Sequence, residues 1–539
     1  MIYLVIIIII TAISVLINMY FSHKRRKLIL TLWDHNKKLD HRENYHETFK
    51  FFYENIKESN DDAGIDDITW NDLNMTKIFN NINYAFTSIG EEMIYFRLKA
   101  AHKQHVMDEK MIEKISSDSP YRVKLSLILA ALGKAPYTNS SKHMFEDPDV
   151  KINKLFLVLS ILPLVGLGLI GVSLHAGLSL FFTSALVNSF LFYMNRSKNE
   201  AEFESLSYCI HIILTSRKIA KLNKDTDFLK KTNNLRKAPF ISVLLLKDDT
   251  TGTNIILHIL TVLKAIFLLE YLIFHYIIHL LHHNKDLYEL AWKKTAELDF
   301  FYSIAIWRKT LPYYCVPTFN GEGSFVIHEA YHPLLQNPVG NDFTFHKNCL
   351  LTGSNASGKS TFMKTIALNI VFSQALNTST SKQINLTRGP VYSTMAMADD
   401  IEKGQSYFLS EIIALKRIFD NTVNTDKQSF FYLFIDEIFK GTNTVERIAA
   451  AESVLNYLND CKQTRVMAAT HDIELTEMLA SKYTNYHFRE YISNDEIYFD
   501  YLIKDGASNT RNAIELLRIT NFPKKVYDDA LKKIAEQSK

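Results

Sequence analysis

An α-helical region joined to a C-terminal α/β domain, with transmembrane helices ahead of it and inside it, is the architecture this sequence predicts. Three observations predict it. The chain opens on the uncharged run Ile2–Phe21, about twenty residues and long enough to cross the hydrocarbon core of a bilayer. A glycine-rich segment, LLTGSNASGKSTFMKT, stands at Leu350–Thr365. Downstream of it, two apolar strand-like runs end in polar residues, at Asp436-Glu437 and at Thr470-His471.

The 539 residues suffice for several domains, and 47% apolar with 22% charged residues excludes a disordered chain. A net charge of +3 is too small to imply a polyanion partner for the chain as a whole, so any basic surface is local. The four cysteines, Cys209, Cys315, Cys349 and Cys461, lie far apart without a Cys-x-x-Cys pair. That excludes a disulfide framework or a zinc site read from spacing, and it suits a reducing compartment.

Basic residues His23–Lys27 follow the first apolar run rather than precede it, which points to an uncleaved anchor with its N-terminus outside and Lys24 onward in the cytoplasm. A second apolar block, Leu155–Met194, is interrupted at Gly171–Gly177 and flanked by KINK and RSK, as expected of a transmembrane hairpin whose ends are both cytoplasmic. A third run, Ile255–Leu281, carries His258, Lys264, Glu270, His275 and His279, and charges are costly inside lipid. A crossing there would also place the phosphate-binding segment outside the cell. The expectation is therefore a buried or interfacial helix, and three transmembrane helices in all.

Gly353, Gly358, Lys359 and Ser360 complete G-x-x-x-x-G-K-[ST]. Glycines let the backbone N–H groups close around phosphate, the lysine reaches the outer phosphates, and the hydroxyl holds magnesium. The apolar NCLLTG ahead of the loop reads as a strand and the periodic KSTFMKTIALNIVFSQAL after it as a helix, so phosphate would meet a helix N-terminus. Phe430–Ile435 is a continuous apolar run, the pattern of a strand buried on both faces. Of the acids that end it, Asp436 can hold the magnesium and Glu437 can polarise the attacking water. His471, at the end of RVMAATHD, can sense the γ-phosphate. Together these motifs specify a P-loop NTPase (ABC-type ATPase) domain using ATP and Mg2+.

At these residues the chain resembles the MutS family of DNA mismatch-recognition ATPases. TGSNASGKSTFMK is similar to the family's TGPNMGGKSTYMR, departing at Ser354, Ala356 and Ser357. ADDIEKGQSYFLSEI (Ala398–Ile412) resembles the family's signature segment, keeping Ser406, Phe408 and Glu411, with Tyr407 in place of Thr. DEIFKGTNT resembles DEIGRGTST, ATHDIELTEM resembles ATHYHELTEL, and HEAYHPLLQNPVGNDFTF is similar to the segment the family uses around the adenine. Upstream, Ile68–Ala100 resembles the start of the family's helical core, Glu297–Pro317 the end of its lever helices, and FPKKVYDDALKKI its closing helices.

The resemblance implies that Gly353, Ser354, Asn355, Ala356, Ser357, Gly358, Lys359, Ser360 and Thr361 bind the nucleotide. It implies magnesium on Ser360 and Asp436, water activation by Glu437, and γ-phosphate reading by His471. Ser406 would reach the γ-phosphate of a partner subunit, which implies a homodimer with composite ATP sites. The expected division is 1–22 for the anchor, 23–154 for a cytoplasmic segment and the first part of the core, 155–194 for the hairpin, 195–317 for core and lever helices, and 318–539 for the ATPase domain.

Soluble mismatch-repair members begin with a domain carrying a Phe-x-Glu wedge. No room for it is expected before Ile68, nor is an added nuclease domain expected at the other end. One basic stretch, Arg217–Lys237, sets eight Lys/Arg against two Asp with Phe228 as its lone aromatic. Nucleic-acid phosphates, anionic lipid headgroups and a solvated helix face all fit such a stretch. Three functions follow: a membrane-anchored, ATP-driven clamp on mismatched or branched DNA, a membrane-tethered switch acting on protein or lipid partners without DNA, and a transporter subunit. The last lacks the LSGGQ segment, for which the chain has GQSYFLSE.

Overall fold

The computed structural model describes residues 19–20, 23–24, 26–39, 46–56, 64–135, 139–146, 153–237, 255–321, 323–354, 357–395, 407–422, 430–461, 463–493, 496–508, 518 and 522–537. The chain forms two compact units, one of residues 1–58, 82–96 and 108–309, the other of residues 59–81, 97–107 and 310–539. In chain order, the helices that matter below are α1 (Asp67–Asp72), α2 (Ser88–Lys99), α3 (Ser119–Leu132), α4 (Lys154–Leu169), α5 (Leu174–Leu222), α6 (Ile255–Ile266), α7 (Leu269–His283) and α8 (Lys285–Thr310). They are followed by α9 (Lys359–Leu376), α10 (Tyr407–Thr422), α11 (Thr444–Asp460) and α12 (Ile473–Met478).

The described part of the first unit is helical. α3 shows how local sequence sets a boundary: the Asp118 carboxylate accepts from Tyr121 N (3.0 Å), Pro120 sits in the first turn and Gly133 ends the helix. α8 is the spine, burying Tyr288, Trp292, Phe300, Tyr302 and Trp307. Asp299, also buried on α8, accepts from Phe86 N (3.0 Å), Thr87 N (2.8 Å) and Thr87 Oγ1 (2.5 Å), so it satisfies the donors that open α2.

α4 and α5 form a helical hairpin, turning at Ile170–Ser173, whose second arm runs on to Leu222 instead of ending near Met194. A Cβ on Gly177 would stand 2.5 Å from Ile170 N, so the two arms approach closely only because that residue is glycine. Three transmembrane helices are not supported. Among the described residues, Leu174–Arg196 alone is long and apolar enough to cross a bilayer, and α4 has 16 residues. The anchor expected over Ile2–Phe21 lies, apart from Met19 and Tyr20, outside the described residues. The run Ile255–Leu281 is not one helix. It breaks into α6 and α7, bent by 80°, with Leu268 at φ 47° between them.

The second unit carries the strands β1 (Thr318–Asn320), β2 (Phe325–Ala330), β3 (Asn341–Thr344), β4 (Cys349–Thr352), β5 (Gln383–Thr387) and β6 (Val391–Thr394). Further along come β7 (Phe431–Asp436), β8 (Thr464–Ala469), β9 (Thr484–His487), β10 (Glu490–Ser493), β11 (Glu496–Phe499) and β12 (Lys504–Asp505). A six-stranded sheet runs β12-β9-β4-β8-β7-β6, parallel from β9 to β6 with β12 antiparallel at one edge. A second sheet runs β1-β5-β2-β3, and β10 pairs with β11. β4 is buried throughout and β7 over its first five residues, as the apolar runs of a covered parallel sheet require.

A segment from far upstream docks on the edge strand β6. Asp72 accepts from Ser393 Oγ (2.7 Å) and Met395 N (2.9 Å), and Thr69 Oγ1 accepts from Ser393 N (3.1 Å). Arg417 on α10 donates to Asp66 (2.8 Å) and to the Ser393 carbonyl (2.6 Å). This cover occupies the backbone groups of an otherwise open edge.

Asp299→Ala removes the acceptor of three donors in the first unit and leaves buried N–H groups at a cost of about 1–3 kcal/mol each. Thermal unfolding followed by circular dichroism should show a clear drop in midpoint; an unchanged midpoint would refute the capping role of Asp299.

Candidate functional site

The register of three parallel strands creates the site. Leu351 on β4 pairs with Ala469 on β8, and Ala469 pairs with Asp436 on β7. The ends of all three strands therefore stand side by side. Glu437 N donates to the Ala469 carbonyl (3.0 Å) and Thr470 N to the Leu351 carbonyl (3.0 Å), extending the alignment one residue past each strand.

From the end of β4 the chain turns through Gly353, at φ 133°, where a Cβ would stand 2.4 Å from the Phe488 carbonyl oxygen. Lys359 opens α9, and its Nζ donates to the carbonyls of Gly353 (2.6 Å) and Ser354 (2.9 Å). Burial pushes its pKa down, against the pull of Asp436, Glu437 and Glu490. The Ser354 hydroxyl donates to Glu490 (3.0 Å), and the Ser357 hydroxyl returns to the Ser354 carbonyl (2.7 Å). Asn355 and Ala356 lie outside the described residues, as does Ser406.

Ser360 Oγ donates to Asp436 Oδ2 at 2.5 Å, while Asp436 Oδ1 is buried without a hydrogen-bond partner. Burial raises the Asp436 carboxyl, the Ser360 bond opposes that, and the Glu437 charge adds to it. A hydroxyl and a carboxylate with an uncommitted buried oxygen suit a small hard cation. Among the described residues no group of three or more His, Cys, Asp or Glu is arranged to hold a metal ion by itself. Magnesium is held by one or two carboxylates with the remaining ligands from phosphate and water, so the donor set fits it.

Glu437 has φ 54°, which turns it away from the strand direction of Asp436. Its carboxylate bonds His471 Nε2 at 2.9 Å and is paired with Lys440. Burial alone would raise its pKa, but the bonds from Lys440 and His471 outweigh this and hold it below the ordinary glutamate range. Glu437 is therefore ionised at neutral pH, as a proton acceptor must be. His471 is fixed from behind: Arg447 on α11 makes two bonds to Asp472 (2.9 and 2.6 Å), and Asp472 N donates to Thr470 Oγ1 (3.0 Å).

The turn after Glu437 rests on the start of α10. Glu411 accepts from Lys440 N and Gly441 N, both at 3.2 Å, and Phe408 packs on Phe439. The retained Phe408 and Glu411 thus brace the strand-end acids, a role their sequence pattern did not disclose.

Beside the loop lies a cavity of about 510 Å3, lined by Ala330, His332, Leu335, Gln336, Asn337, Val339 and Asn341 from one side and Gly358, Ser360, Thr361, Phe362 and Thr365 from the other, with Phe488 and Tyr501 closing it. The segment expected around the adenine is therefore adjacent to the loop. Its placement depends on Asn369 of α9, which accepts from Ser379 Oγ (2.6 Å) and Thr380 N (2.7 Å); Thr380 N–H and hydroxyl groups in turn tie to this carboxamide and to the Tyr331 carbonyl. Sequence reasoning did not single out Asn369, Phe488, Glu490 or Tyr501, and reached Asn341 only as part of the segment expected around the adenine. Asn341 fixes Tyr501 by donating to its carbonyl (3.0 Å) and accepting from Ile503 N (2.9 Å). No motif joins Asn341 to Tyr501, since 160 positions separate them.

An α/β sheet with a glycine loop, a hydroxyl–carboxylate pair and a glutamate–histidine pair at adjacent strand ends is the class of site present. Residues 349–538 match the family model described as MutS domain V. The chain is 28% identical over 267 residues to the DNA mismatch repair protein MutS of Streptococcus pyogenes serotype M49 (strain NZ131), covering 46% of this chain and 30% of that protein. It is 28% identical over 256 residues to the DNA mismatch repair protein MutS of Geobacillus sp. (strain WCH70), covering 45% and 29% respectively. These findings support the MutS family for the C-terminal region, and the match spans less than a third of those relatives' length.

Gly353→Ala forces a methyl group into the Phe488 carbonyl and a residue with a side chain into φ 133°, which should cost about 1–3 kcal/mol. Thermal unfolding should register that loss; full stability in the variant would show that the loop is not constrained as described.

Proposed function

We propose that this protein is an ATP hydrolase of the MutS kind, tethered to a membrane, that works as a homodimeric clamp on DNA. The observation that carries the reading is the alignment of Lys359, Ser360–Asp436 and Glu437–His471 at the ends of three adjacent parallel strands. The cavity beside the loop takes the adenine, with Val339 and Tyr501 among its walls. Lys359 exchanges its loop carbonyls for the outer phosphates. Ser360 and Asp436 hold magnesium, which when bound offsets phosphate charge. Glu437, kept ionised by Lys440 and His471, accepts the proton of the attacking water. His471 turns from Glu437 to the γ-phosphate, and Ser406 reaches the site of the partner subunit.

The hairpin α4–α5 is the membrane tether, with the ATPase domain in the cytoplasm. α5 itself supports DNA over lipid as the ligand of the basic stretch. Arg217, Lys221 and Lys230, with Leu229 and Asn233, line a concavity with no acidic residue among its walls. Arg217 stands 21 positions beyond Arg196 on one continuous helix, about 30 Å at 1.5 Å per residue. Headgroups extend only some 5–8 Å beyond the hydrocarbon and the screening length is about 8 Å, so a bilayer holding Leu174–Arg196 does not reach this cluster. A soluble polyanion does. The second reading, a switch acting on protein partners, uses the same site without the basic concavity.

Lys359→Ala should weaken ATP binding by about 1.5–3 kcal/mol, the worth of a hydrogen bond to a charged group. Glu437→Ala should retain binding while hydrolysis falls roughly 10²–10⁴-fold. Equilibrium nucleotide binding and phosphate release, measured on both variants, separate the two roles. Hydrolysis at the parental rate in the Glu437 variant would remove that residue from catalysis.

A further inference from the structure

The run at 255–281 is continuous in hydrophobicity but broken in space, and the break has a fixed position relative to the hairpin. α7 runs beside α5 in the same direction: Glu270 faces Arg196 at 3.6 Å, and Phe274 packs on Phe203 with ring centroids 4.8 Å apart. At the start of α7, Tyr271 stacks on Phe156 at 4.5 Å, and its hydroxyl accepts from Asn153 N at 2.8 Å. α7 therefore begins level with the entry to α4 and with the last residues of the apolar stretch of α5. A helix leaving that level at 80° to α7 runs along the base of the hairpin rather than through its length.

Asn188 holds the end of α6 there. Its Nδ2 donates to the Ile266 carbonyl and to the Leu159 carbonyl, both at 2.8 Å, and the side chain is fully buried. Ile266 is the last residue of α6, where carbonyls lose their intrahelical partners. A helix end at this depth needs such a donor, because hydrocarbon supplies none. Asn188 precedes Arg196 by eight positions on α5, which puts the end of α6 about 12 Å inside the apolar stretch.

α6 has two apolar sides. Ala265, with Leu268 of the break, packs on Phe192 and the neighbouring Phe156, Leu159 and Leu191. On the other side Ile259 is 57% exposed, Val262 56% and Leu263 42%. The cation of this stretch, Lys264, is buried and so lies off the exposed side. The outward faces of the hairpin are apolar too, with Ile161, Phe182, Leu186 and Phe190 exposed.

We propose that α6 is an in-plane membrane helix, lying at the base of the hairpin with Ile259, Val262 and Leu263 among the phospholipid acyl chains of the leaflet nearest α7. The bend and an apolar outer side match a helix lying in the membrane plane, with its Ile266 end below the boundary of headgroups and acyl chains. The inference rests on the hairpin itself being in the bilayer. Because only Asn284 separates α7 from α8, α7 links α6 to the buried spine of the first unit, which starts one 15-residue helix further along.

The test uses full-length protein in vesicles of phosphatidylcholine and phosphatidylglycerol, with Cys315 and Cys461 replaced by serine. Nitroxides are introduced through Val262→Cys on α6, Leu186→Cys on the hairpin and Val445→Cys at the exposed start of α11. Power saturation with oxygen and with a water-soluble nickel chelate then reads depth. The expected result is loss of nickel accessibility at 186 and 262 but not at 445, with 262 the shallower of the two. Nickel accessibility at 262 with 186 still shielded overturns the placement of α6 and leaves the hairpin in the membrane. Accessibility at both sites overturns the membrane reading of the hairpin. Shielding of 262 from oxygen as well as nickel, with spin–spin broadening, overturns the lipid contact in favour of a second copy covering this face. A depth at 262 equal to or greater than that at 186 overturns the in-plane orientation.

Discussion

The pairing of Leu351 with Ala469 and of Ala469 with Asp436 is the constraint on which the site depends. A parallel sheet covered on both faces has apolar strands and confines its chemistry to strand ends. With β4, β8 and β7 adjacent, the lysine, hydroxyl, carboxylates and histidine arrive at one edge although more than a hundred residues separate the first from the last. A slip of one residue in β7 would send Asp436 to the opposite side of the sheet and separate it from Ser360.

What surrounds this edge is support for charged groups in a partly dry setting. Arg447–Asp472 fixes the turn that bears His471, Glu411 satisfies the backbone after Glu437, and Ser354–Glu490 ties the loop to β10. Each bond crosses between elements distant in sequence. Segment 64–81 belongs to the same unit and seals β6 through Asp72, so the unit is completed by chain from before the hairpin.

The loop, Asp436, Glu437 and His471 were legible in the sequence because each sits in a contiguous motif at the end of an apolar run. The hairpin was legible because Gly171–Gly177 interrupts hydrophobicity in the chain itself. Tyr501 and Glu490 were not, since they reach the loop region through single long-range bonds, Glu490 to Ser354 and Tyr501 to Asn341, that no local pattern records. The break at Leu268 was hidden for a similar reason: hydrophobicity continues across it, and the group that satisfies the broken end is Asn188, on another helix. The distance of the basic stretch from Arg196 needed the continuity of α5, which composition does not reveal.

We propose a MutS-type nucleotide site that drives a clamp on DNA from a membrane tether. The most direct measurement is the ATPase rate and DNA affinity of the full-length protein in lipid nanodiscs, with homoduplex, mismatched and branched DNA across a salt series. The expected result is DNA binding that weakens steeply with salt, together with a change in ATPase rate on binding. Robust ATP hydrolysis with no DNA binding at any salt concentration would contradict it, and would assign the same site to a switch with protein partners.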